Sequence, residues 1–329
     1  MPGFAEIILI DDLSNIPIKF NLLRKAPGFM LDWYIRRFNP FTAEDTEILG
    51  ERGYLVTLPL TSDDMRERPE YFSEQAAQTL HNLRDYGVGI VLPPAMPAGA
   101  LGAAAFPDIL PVADGNGVFA FFMMQAIDKT LKLAGKNIKT AEIVLIDGNQ
   151  SLTQSVLDNI YPHVNYLTLI TDEDYSGKCA QIYSDCGLNM SVSDYNRSSL
   201  VSADIIINTR EENKFDFYYK RGAIYFELGR RNGAETAAKR DDILIVDGLR
   251  LSRSIAAPSE REEDITLERF ECGLHAMSRD YRKLCSRYDS CGVRPVAERI
   301  KTLGYSVRGL MFCGRSLSGP CFDSVFRKS

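Results

Sequence analysis

Ala141-Glu-Ile-Val-Leu-Ile-Asp-Gly-Asn-Gln-Ser-Leu-Thr-Gln-Ser-Val-Leu-Asp-Asn-Ile160 is the stretch that decides the fold. Its apolar run, residues 143–146, predicts a parallel strand that is buried on both faces. The polar residues 147–149 end that run, and Ser151 is the N-cap that we expect for a following helix. Strand, tight turn and helix in this order are typical of the first half of a nucleotide-binding α/β unit, whose helix N-terminus can bind a phosphate.

The turn in this unit has fewer glycines than a dinucleotide-binding turn needs. The dinucleotide fingerprint has three glycines, which allow the tight turn, the close approach of the pyrophosphate and the packing of helix on strand. Here only Gly148 is present, and Gln150 and Thr153 fill the next two glycine positions. The sequence therefore indicates the architecture and leaves the cofactor open.

Size and composition are those of an ordinary globular protein with two domains. The chain has 329 residues, 45% of them hydrophobic and 25% charged. A net charge of −6 gives no reason to expect binding to nucleic acid or to an anionic membrane. No apolar run approaches the ~20 residues of a membrane span, and the apolar residues 7–10 are too few for a signal peptide. We therefore expect a cytoplasmic location.

The seven cysteines do not have the spacing of a metal site. Structural zinc sites usually contain close ligand pairs, and this sequence has no C-x-x-C pair. We therefore expect no metal and reduced thiols. The cysteines are Cys179, Cys186, Cys272, Cys285, Cys291, Cys313 and Cys321.

Strand patterns elsewhere predict an α/β fold with a Rossmann-like, doubly wound parallel sheet. Six predicted strands carry this prediction: residues 143–146, 166–170, 190–192, 203–209, 222–228 and 242–247. Upstream, strands at 54–60 and 88–92 flank a helix at 69–86, which indicates a smaller N-terminal α/β domain.

We accordingly expect three regions along the chain. They are a substrate-type domain at 1–117, a nucleotide-binding domain at 118–265, and a C-terminal helical segment at 266–329 that packs between the domains or back onto them.

Asp172 follows the second strand of the nucleotide-binding unit, 25 residues after Asp147. An acid near this place can bind the ribose hydroxyls of NAD and would repel the 2′-phosphate of NADP. The alternative is an ordinary helix N-cap, because Asp residues after strands are often caps or turns.

Several segments in a fixed order resemble one family. They are Gly53-Tyr-Leu-Val-Thr-Leu-Pro-Leu-Thr61, Val88-Gly-Ile-Val-Leu92, Val112-Ala-Asp-Gly-Asn116, the strand and turn at 143–148, the strand at 203–209, and Arg269-Phe-Glu-Cys-Gly-Leu-His-Ala-Met277. This order resembles the long-chain acyl-[acyl-carrier-protein] reductases and the predicted dehydrogenases related to shikimate dehydrogenase and glutamyl-tRNA reductase. The resemblance covers residues 50–305. It implies an N-terminal substrate domain, a Rossmann domain that binds NADPH, and a cysteine that forms an acyl thioester before hydride transfer.

The family's cysteine falls on Cys272. We expect one long helix at 266–288, on which Cys272 precedes His275 by three residues, so the two side chains share a face. A neighbouring imidazole can lower a thiol pKa and favour the nucleophilic thiolate, which makes Cys272 and His275 the candidate catalytic pair. The alternative is a buried cysteine that behaves as a small hydrophobic side chain.

Two departures from the family bear on the cofactor. Asp147 brings a negative charge next to the expected pyrophosphate position, and the acids at 172–174 stand where NADPH enzymes usually supply a basic residue. Both disfavour NADPH. The expected cofactor-binding residues are Asp147, Gly148, Asn149, Gln150, Ser151, Asp172, Asn208 and Thr209.

Three functions remain open. The first is a divergent NAD(P)-dependent oxidoreductase-like protein with NAD or NADP and an acyl or carbonyl substrate. The second is a non-catalytic regulatory or binding protein of Rossmann fold that has lost dinucleotide binding and has no cofactor. The third is the binding of an adenosyl compound without a pyrophosphate. The expected partner is a small molecule in the cleft between the domains, and a homo-oligomer is left open.

Overall fold

The computed structural model describes residues 3–9, 30, 33, 42–94, 106, 108–194, 197–210, 219–229, 240–253, 263–286 and 290–326. The chain divides into two compact units. The first combines Met1–Asp114 with Glu268–Arg282, and the second combines Gly115–Leu267 with Lys283–Ser329. The segment Glu268–Arg282 therefore belongs to the first unit, although residues before and after it belong to the second.

The first unit is built on a four-stranded sheet of order β2-β3-β1-β4. Its elements up to residue 92 are β1 Phe4–Leu9, β2 Thr42–Ile48, β3 Glu51–Leu58, α1 Ser62–Glu67, α2 Pro69–Asp85 and β4 Ile90–Leu92. β1 pairs in parallel with β3 and with β4, whereas β2 is an antiparallel edge strand. α1 begins with a capping box, in which Thr61 and Asp64 each accept a hydrogen bond from the other's backbone.

The second unit carries the doubly wound sheet. Its elements up to residue 246 are α3 Asn116–Leu133, β5 Glu142–Ile146, α4 Gln150–Ile160, β6 Tyr166–Ile170, α5 Ser176–Cys186, β7 Ser191–Ser193, α6 Arg197–Ser202, β8 Ile205–Asn208, β9 Ile224–Glu227 and β10 Leu244–Val246. These six strands are all parallel, in the order β10-β9-β8-β5-β6-β7. This is the strand order of a Rossmann-like sheet, so the predicted fold class is confirmed.

Most strands of this sheet form because both of their faces are covered. Every residue of β8, β9 and β10 is buried, as are four of the five residues of β5. Branched and aromatic side chains dominate these strands, which suits a pleated surface packed on both sides. The order of the strands reverses between β5 and β8, and that reversal creates a crevice at their carboxyl ends.

The segment after residue 246 is less helical than the sequence indicates. It contains β11 Gly248–Arg253, β12 Glu263–Thr266, α7 Leu267–Met277, α8 Arg279–Ser286, α9 Ser290–Leu303, β13 Tyr305–Phe312, β14 Arg315–Ser316 and α10 Gly319–Phe326. The strands form a third, antiparallel sheet of order β12-β11-β13-β14. The partner of β13 is β11, more than 50 residues earlier, and local periodicity contains no information on such a pairing.

One long helix predicted at 266–288 is in fact two. Ser278 separates α7 from α8, and its Oγ accepts a hydrogen bond from the Tyr281 N–H at 3.1 Å. Ser278 therefore acts as the N-cap of α8, because a cap hydroxyl satisfies one of the free N–H groups of a first turn.

α7 covers the first unit's sheet. A Cβ added to Gly3 would lie 2.7 Å from the Cβ of Ala276, and one added to Gly273 would lie 2.8 Å from the Leu49 side chain. Arg269 forms an ion pair with Glu6 on β1 at 3.3 Å. α7 thus packs closely along β1 and the β2–β3 turn.

Candidate functional site

The candidate site lies at the carboxyl edge of the parallel sheet in the second unit. β6 and β8 flank β5, so the turns that follow these three strands lie side by side. A cavity of about 510 Å³ opens there. Its lining residues are Asp147, Gly148, Gln150, Thr171, Asp172, Glu173 and Arg210. Open α/β sheets bind ligands at this place, where the strand order reverses.

Asp147 is a structural residue at the end of β5. Its side chain is buried; Oδ1 accepts a hydrogen bond from the Thr153 hydroxyl at 2.6 Å and Oδ2 accepts one from the Thr171 hydroxyl at 2.7 Å. These two bonds join the end of β5 to α4 and to the end of β6. The carboxylate adds negative potential to the cavity, but both of its oxygens already accept hydrogen bonds within the fold.

Gly148 lies against the backbone of the turn that follows β8. Its N–H donates to the Thr209 hydroxyl at 3.1 Å, so this N–H is not directed at a ligand. A Cβ added to Gly148 would lie 2.2 Å from Cγ and 2.4 Å from Cα of Arg210. This glycine is therefore required by the close approach of Arg210, a reason different from the approach of a pyrophosphate.

The N-cap of α4 is Asn149, and the prediction of Ser151 was wrong. Asn149 has an extended backbone, and its Oδ1 accepts a hydrogen bond from the Leu152 N–H at 3.2 Å. The helix therefore begins at Gln150, two residues earlier than expected, because an amide side chain caps as well as a hydroxyl. Gln150 and Ser151 are exposed in the first turn, where helix N–H groups point out of the helix.

Arg210 is the residue that sequence reasoning missed. Its Nε donates to the Asp147 carbonyl oxygen at 2.5 Å, and its Nη2 donates to Asp172 Oδ2 at 3.0 Å. The side chain thus runs from the end of β8, over the end of β5, to the end of β6. A signal was present in the sequence, because Arg210 directly follows a strand at the point where the strand order reverses.

Asn208 and Thr209, both predicted to bind cofactor, are buried and hydrogen-bonded within the fold. The Thr209 hydroxyl donates to the Ile146 carbonyl oxygen at 2.9 Å. Asn208 Nδ2 donates to the Arg210 carbonyl oxygen and to Glu227 Oε1, each at 2.9 Å. Their described contacts connect neighbouring strands and fix the turn that carries Arg210.

Asp172 is exposed at the cavity and is not a helix cap. Its side chain is 72% exposed and pairs with Arg210. The next helix, α5, has Tyr175 in the N-cap position without a side-chain cap, so the N-cap alternative for Asp172 was wrong. Asp174 serves that turn instead: its Oδ1 accepts from the Ser176 N–H at 2.8 Å, and this bond lowers the pKa of Asp174.

Cys272 and His275 lie on α7 in the first unit. Cys272 is fully buried, and burial raises the pKa of its thiol well above the usual value, with Glu271 adding to the effect. His275 is also buried; burial, and then Arg282, lower its pKa to about 4. A buried protonated thiol is a poor nucleophile, so the environment of Cys272 favours the alternative of a small core side chain.

The position of His275 adds to this conclusion. A Cβ added to Gly89 would lie 3.3 Å from His275 Cε1 and 3.5 Å from the Gly3 carbonyl oxygen. Gly3 and Gly89 directly precede β1 and β4. The imidazole therefore lies at the amino ends of these parallel strands, whereas α/β proteins bind ligands at the carboxyl ends.

The described part of the chain contains neither a metal site nor a membrane-spanning helix. Among the residues that the structure describes, no group of three or more His, Cys, Asp or Glu side chains could hold a metal ion. None of the described helices is both long enough and apolar enough to cross a bilayer.

Comparison with known proteins gives solved structures only. No family model and no curated protein matches the chain. A shikimate 5-dehydrogenase from Listeria monocytogenes, solved with shikimate and NAD, is 13% identical over 91% of this chain and 96% of its own, with a TM-score of 0.31. L-tryptophan dehydrogenase from Nostoc punctiforme is 11% identical over 92% and 79%, with a TM-score of 0.33. A shikimate dehydrogenase in complex with NADP+ is 10% identical over 99% and 96%, with a TM-score of 0.34.

These three structures are similar to this chain in fold at most. Their identities are too low to transfer an activity, and TM-scores near 0.3 add no argument to the strand order already described. The acyl-[acyl-carrier-protein] reductase assignment stays a prediction.

Proposed function

We propose that this protein is a dehydrogenase-like binding protein that takes a small ligand in the crevice at the end of β5 and does not bind a nicotinamide dinucleotide through its pyrophosphate. The observation that carries the proposal is the course of Arg210, which spans the crevice from Asp147 to Asp172.

The place that Arg210 crosses is the one a pyrophosphate would need. In doubly wound folds the pyrophosphate lies at the N-terminus of the helix after the first strand, which is α4 here. The first turn of the unit brings Gly148 into contact with Arg210, so the space that glycines normally leave for a phosphate is occupied by protein.

The charge of the cavity supports the same function. Among the residues that the structure describes, three carboxylates line it, at 147, 172 and 173, and Arg210 contributes a guanidinium. A pyrophosphate would bring two further negative charges into this lining, and like charges at close range are unfavourable. A neutral, zwitterionic or singly charged ligand meets a smaller penalty.

Direct binding measurements with the full chain test the proposal. NADH, NAD, NADPH and NADP are each titrated by calorimetry, and each is also added in a thermal unfolding experiment. A dinucleotide present at 100 times its dissociation constant would stabilise the native state by about 2.7 kcal/mol, which is a clear rise in Tm. We expect no heat of binding and no rise; micromolar binding of any of the four would contradict the proposal.

A second function, an NAD-dependent oxidoreductase, is favoured by one observation. Asp172 follows β6, at the position from which an acid binds the ribose of NAD in this fold. For Asp172 to bind the ribose, its ion pair with Arg210 would have to break. This function predicts oxidation of NADH, followed by absorbance, when an acyl thioester or another carbonyl compound is supplied. If Cys272 carries the acyl group, Cys272→Ser abolishes turnover, whereas Cys285→Ser, at an exposed cysteine, does not.

A further inference from the structure

The turn that carries Arg210 is held by a buried polar network. Asn208 bonds it twice: its Nδ2 donates to the Arg210 carbonyl oxygen at 2.9 Å, and its Oδ1 accepts from the Arg210 N–H at 3.2 Å. Glu227 accepts from Asn208 Nδ2 at 2.9 Å and from the Gly229 N–H at 2.8 Å through Oε1, and from the Tyr225 hydroxyl at 2.8 Å through Oε2. Asn208 and Glu227 are both buried.

Two glycines complete this support. A Cβ added to Gly229 would lie 1.9 Å from the Arg210 carbonyl oxygen, and one added to Gly148 would lie 2.4 Å from the Arg210 Cα. The backbone of Arg210 is thus in close contact on two sides and hydrogen-bonded to Asn208. A guanidinium that starts from a fixed backbone loses less conformational entropy when it binds a ligand.

Two of the described partners of the Arg210 guanidinium differ in their surroundings. Nε donates to the backbone carbonyl of Asp147, which belongs to the sheet edge. Nη2 donates to Asp172, whose side chain is 72% exposed, whereas that of Arg210 is 21% exposed. An ion pair with so exposed a partner contributes little, so a ligand carboxylate can replace Asp172 at small cost.

From this arrangement we propose that Arg210 is the anchor of a binding site for a small organic monocarboxylate. The ligand's carboxylate takes the place of Asp172 on the guanidinium, beside the first turn of α4. A planar guanidinium and a carboxylate match in geometry, so that two parallel hydrogen bonds can form between them. The acids at 147 and 173 disfavour a phosphate, which carries more negative charge. This proposal rests on the proposed function, since it names the ligand of the same crevice.

The experiment uses the full chain and four probes. L-alanine and pyruvate both carry a carboxylate, L-alaninamide lacks it, and inorganic phosphate is the competing anion. Binding of the three organic probes is followed by saturation-transfer NMR, which detects millimolar affinity, and binding of phosphate is followed by the broadening of its 31P resonance. We expect a carboxylate probe to bind and L-alaninamide and phosphate not to bind. Binding by L-alanine alone would indicate an added ammonium contact with Glu173, and binding by pyruvate would show that the carboxylate suffices.

Three variants separate a ligand site from a merely structural arginine. Arg210→Ala abolishes binding, whereas Arg250→Ala, at an exposed arginine on β11, leaves it unchanged. Asp172→Asn removes the competing charge and tightens binding about threefold to fivefold, the full effect of an exposed ion pair. A destabilised fold would not produce that gain.

The remaining outcomes overturn either the monocarboxylate site or the proposed function. No binding by either carboxylate, stronger binding by phosphate, or an unchanged affinity in Asp172→Asn overturns the monocarboxylate site and leaves the proposed function standing. Micromolar binding of a nicotinamide dinucleotide by the wild-type protein overturns the proposed function itself.

Discussion

Gly148 and Arg210 are in direct backbone contact: a Cβ at residue 148 would lie 2.4 Å from the Cα of Arg210. The turn after β5 and the turn after β8 therefore approach each other without room for a methyl group. This contact places Arg210 over the end of β5, and it makes the crevice depend on a single glycine.

Gly148→Ala is expected to lower the free energy of unfolding by about 1–3 kcal/mol, the usual cost of forcing an extra group into a packed site. Urea denaturation measures the change. Gly177→Ala is the matched control, because nothing lies within 4 Å of a Cβ added to this glycine on α5; alanine should stabilise that helix slightly. Equal stability of Gly148→Ala and the wild type would contradict the contact.

Asp147→Ala should lower the free energy of unfolding by at least about 2 kcal/mol, because the buried hydroxyls of Thr153 and Thr171 both lose their acceptor. Asp147→Asn, which keeps one acceptor oxygen, should cost less. Asp128→Ala serves as the control: its ion pair with Lys132 is exposed, and such pairs contribute little. The prediction fails if Asp147→Ala and the control Asp128→Ala unfold at the same urea concentration.

The lowered pKa of His275 predicts that the protein loses stability on acidification. Its pKa in the folded protein is about 4, below the ordinary value of about 6.5. Between these values the unfolded chain binds a proton that the folded protein does not, so stability falls as pH decreases from about 6.5 to about 4. At 1.36 kcal/mol for each pH unit, the difference is roughly 3 kcal/mol. His275→Gln should remove this part of the pH dependence, whereas His163→Gln, at an exposed histidine, should retain it.

Cys272 should resist thiol reagents in the folded protein, because its thiol is fully buried and its pKa is raised. Labelling at neutral pH, followed by peptide mass mapping, should modify the exposed Cys186 and Cys285 first and Cys272 only on unfolding. Cys272→Ser should destabilise the fold more than Cys272→Ala, by about 1–3 kcal/mol, since it buries a hydroxyl. Rapid native labelling of Cys272 would support a chemical role after all.

Much of the fold was readable because its signals are local. Residues 143–146 form a continuous apolar run, as expected of a strand covered on both faces, and four further predicted strands rich in apolar residues follow at 166–170, 203–209, 222–228 and 242–247. β13 was not readable, because it is defined by pairing with β11 and not by its own periodicity. The break at Ser278 was missed for a related reason, since a serine hydroxyl can cap a helix or face solvent with the same neighbours in sequence.

The candidate site was only half readable. Asp147, Gly148 and Asp172 were placed at the crevice by their position after strands, and the structure does bring them to one cavity. Arg210 joins them from the end of β8, about 60 residues after Gly148. Cys272 and His275 are three residues apart on one helix, yet the structure buries the thiol and lowers the imidazole pKa. Spacing along the chain does not specify desolvation.

The sequence by itself determined that parallel strands, most of them buried, form a doubly wound sheet, because hydrophobic burial follows from residue type and period. Only the tertiary structure decided what occupies the mouth of the crevice. The distance between Arg210 and Asp172, and the missing space beside Gly148, arise where separate turns meet at one sheet edge, and no single turn encodes the position of its neighbours.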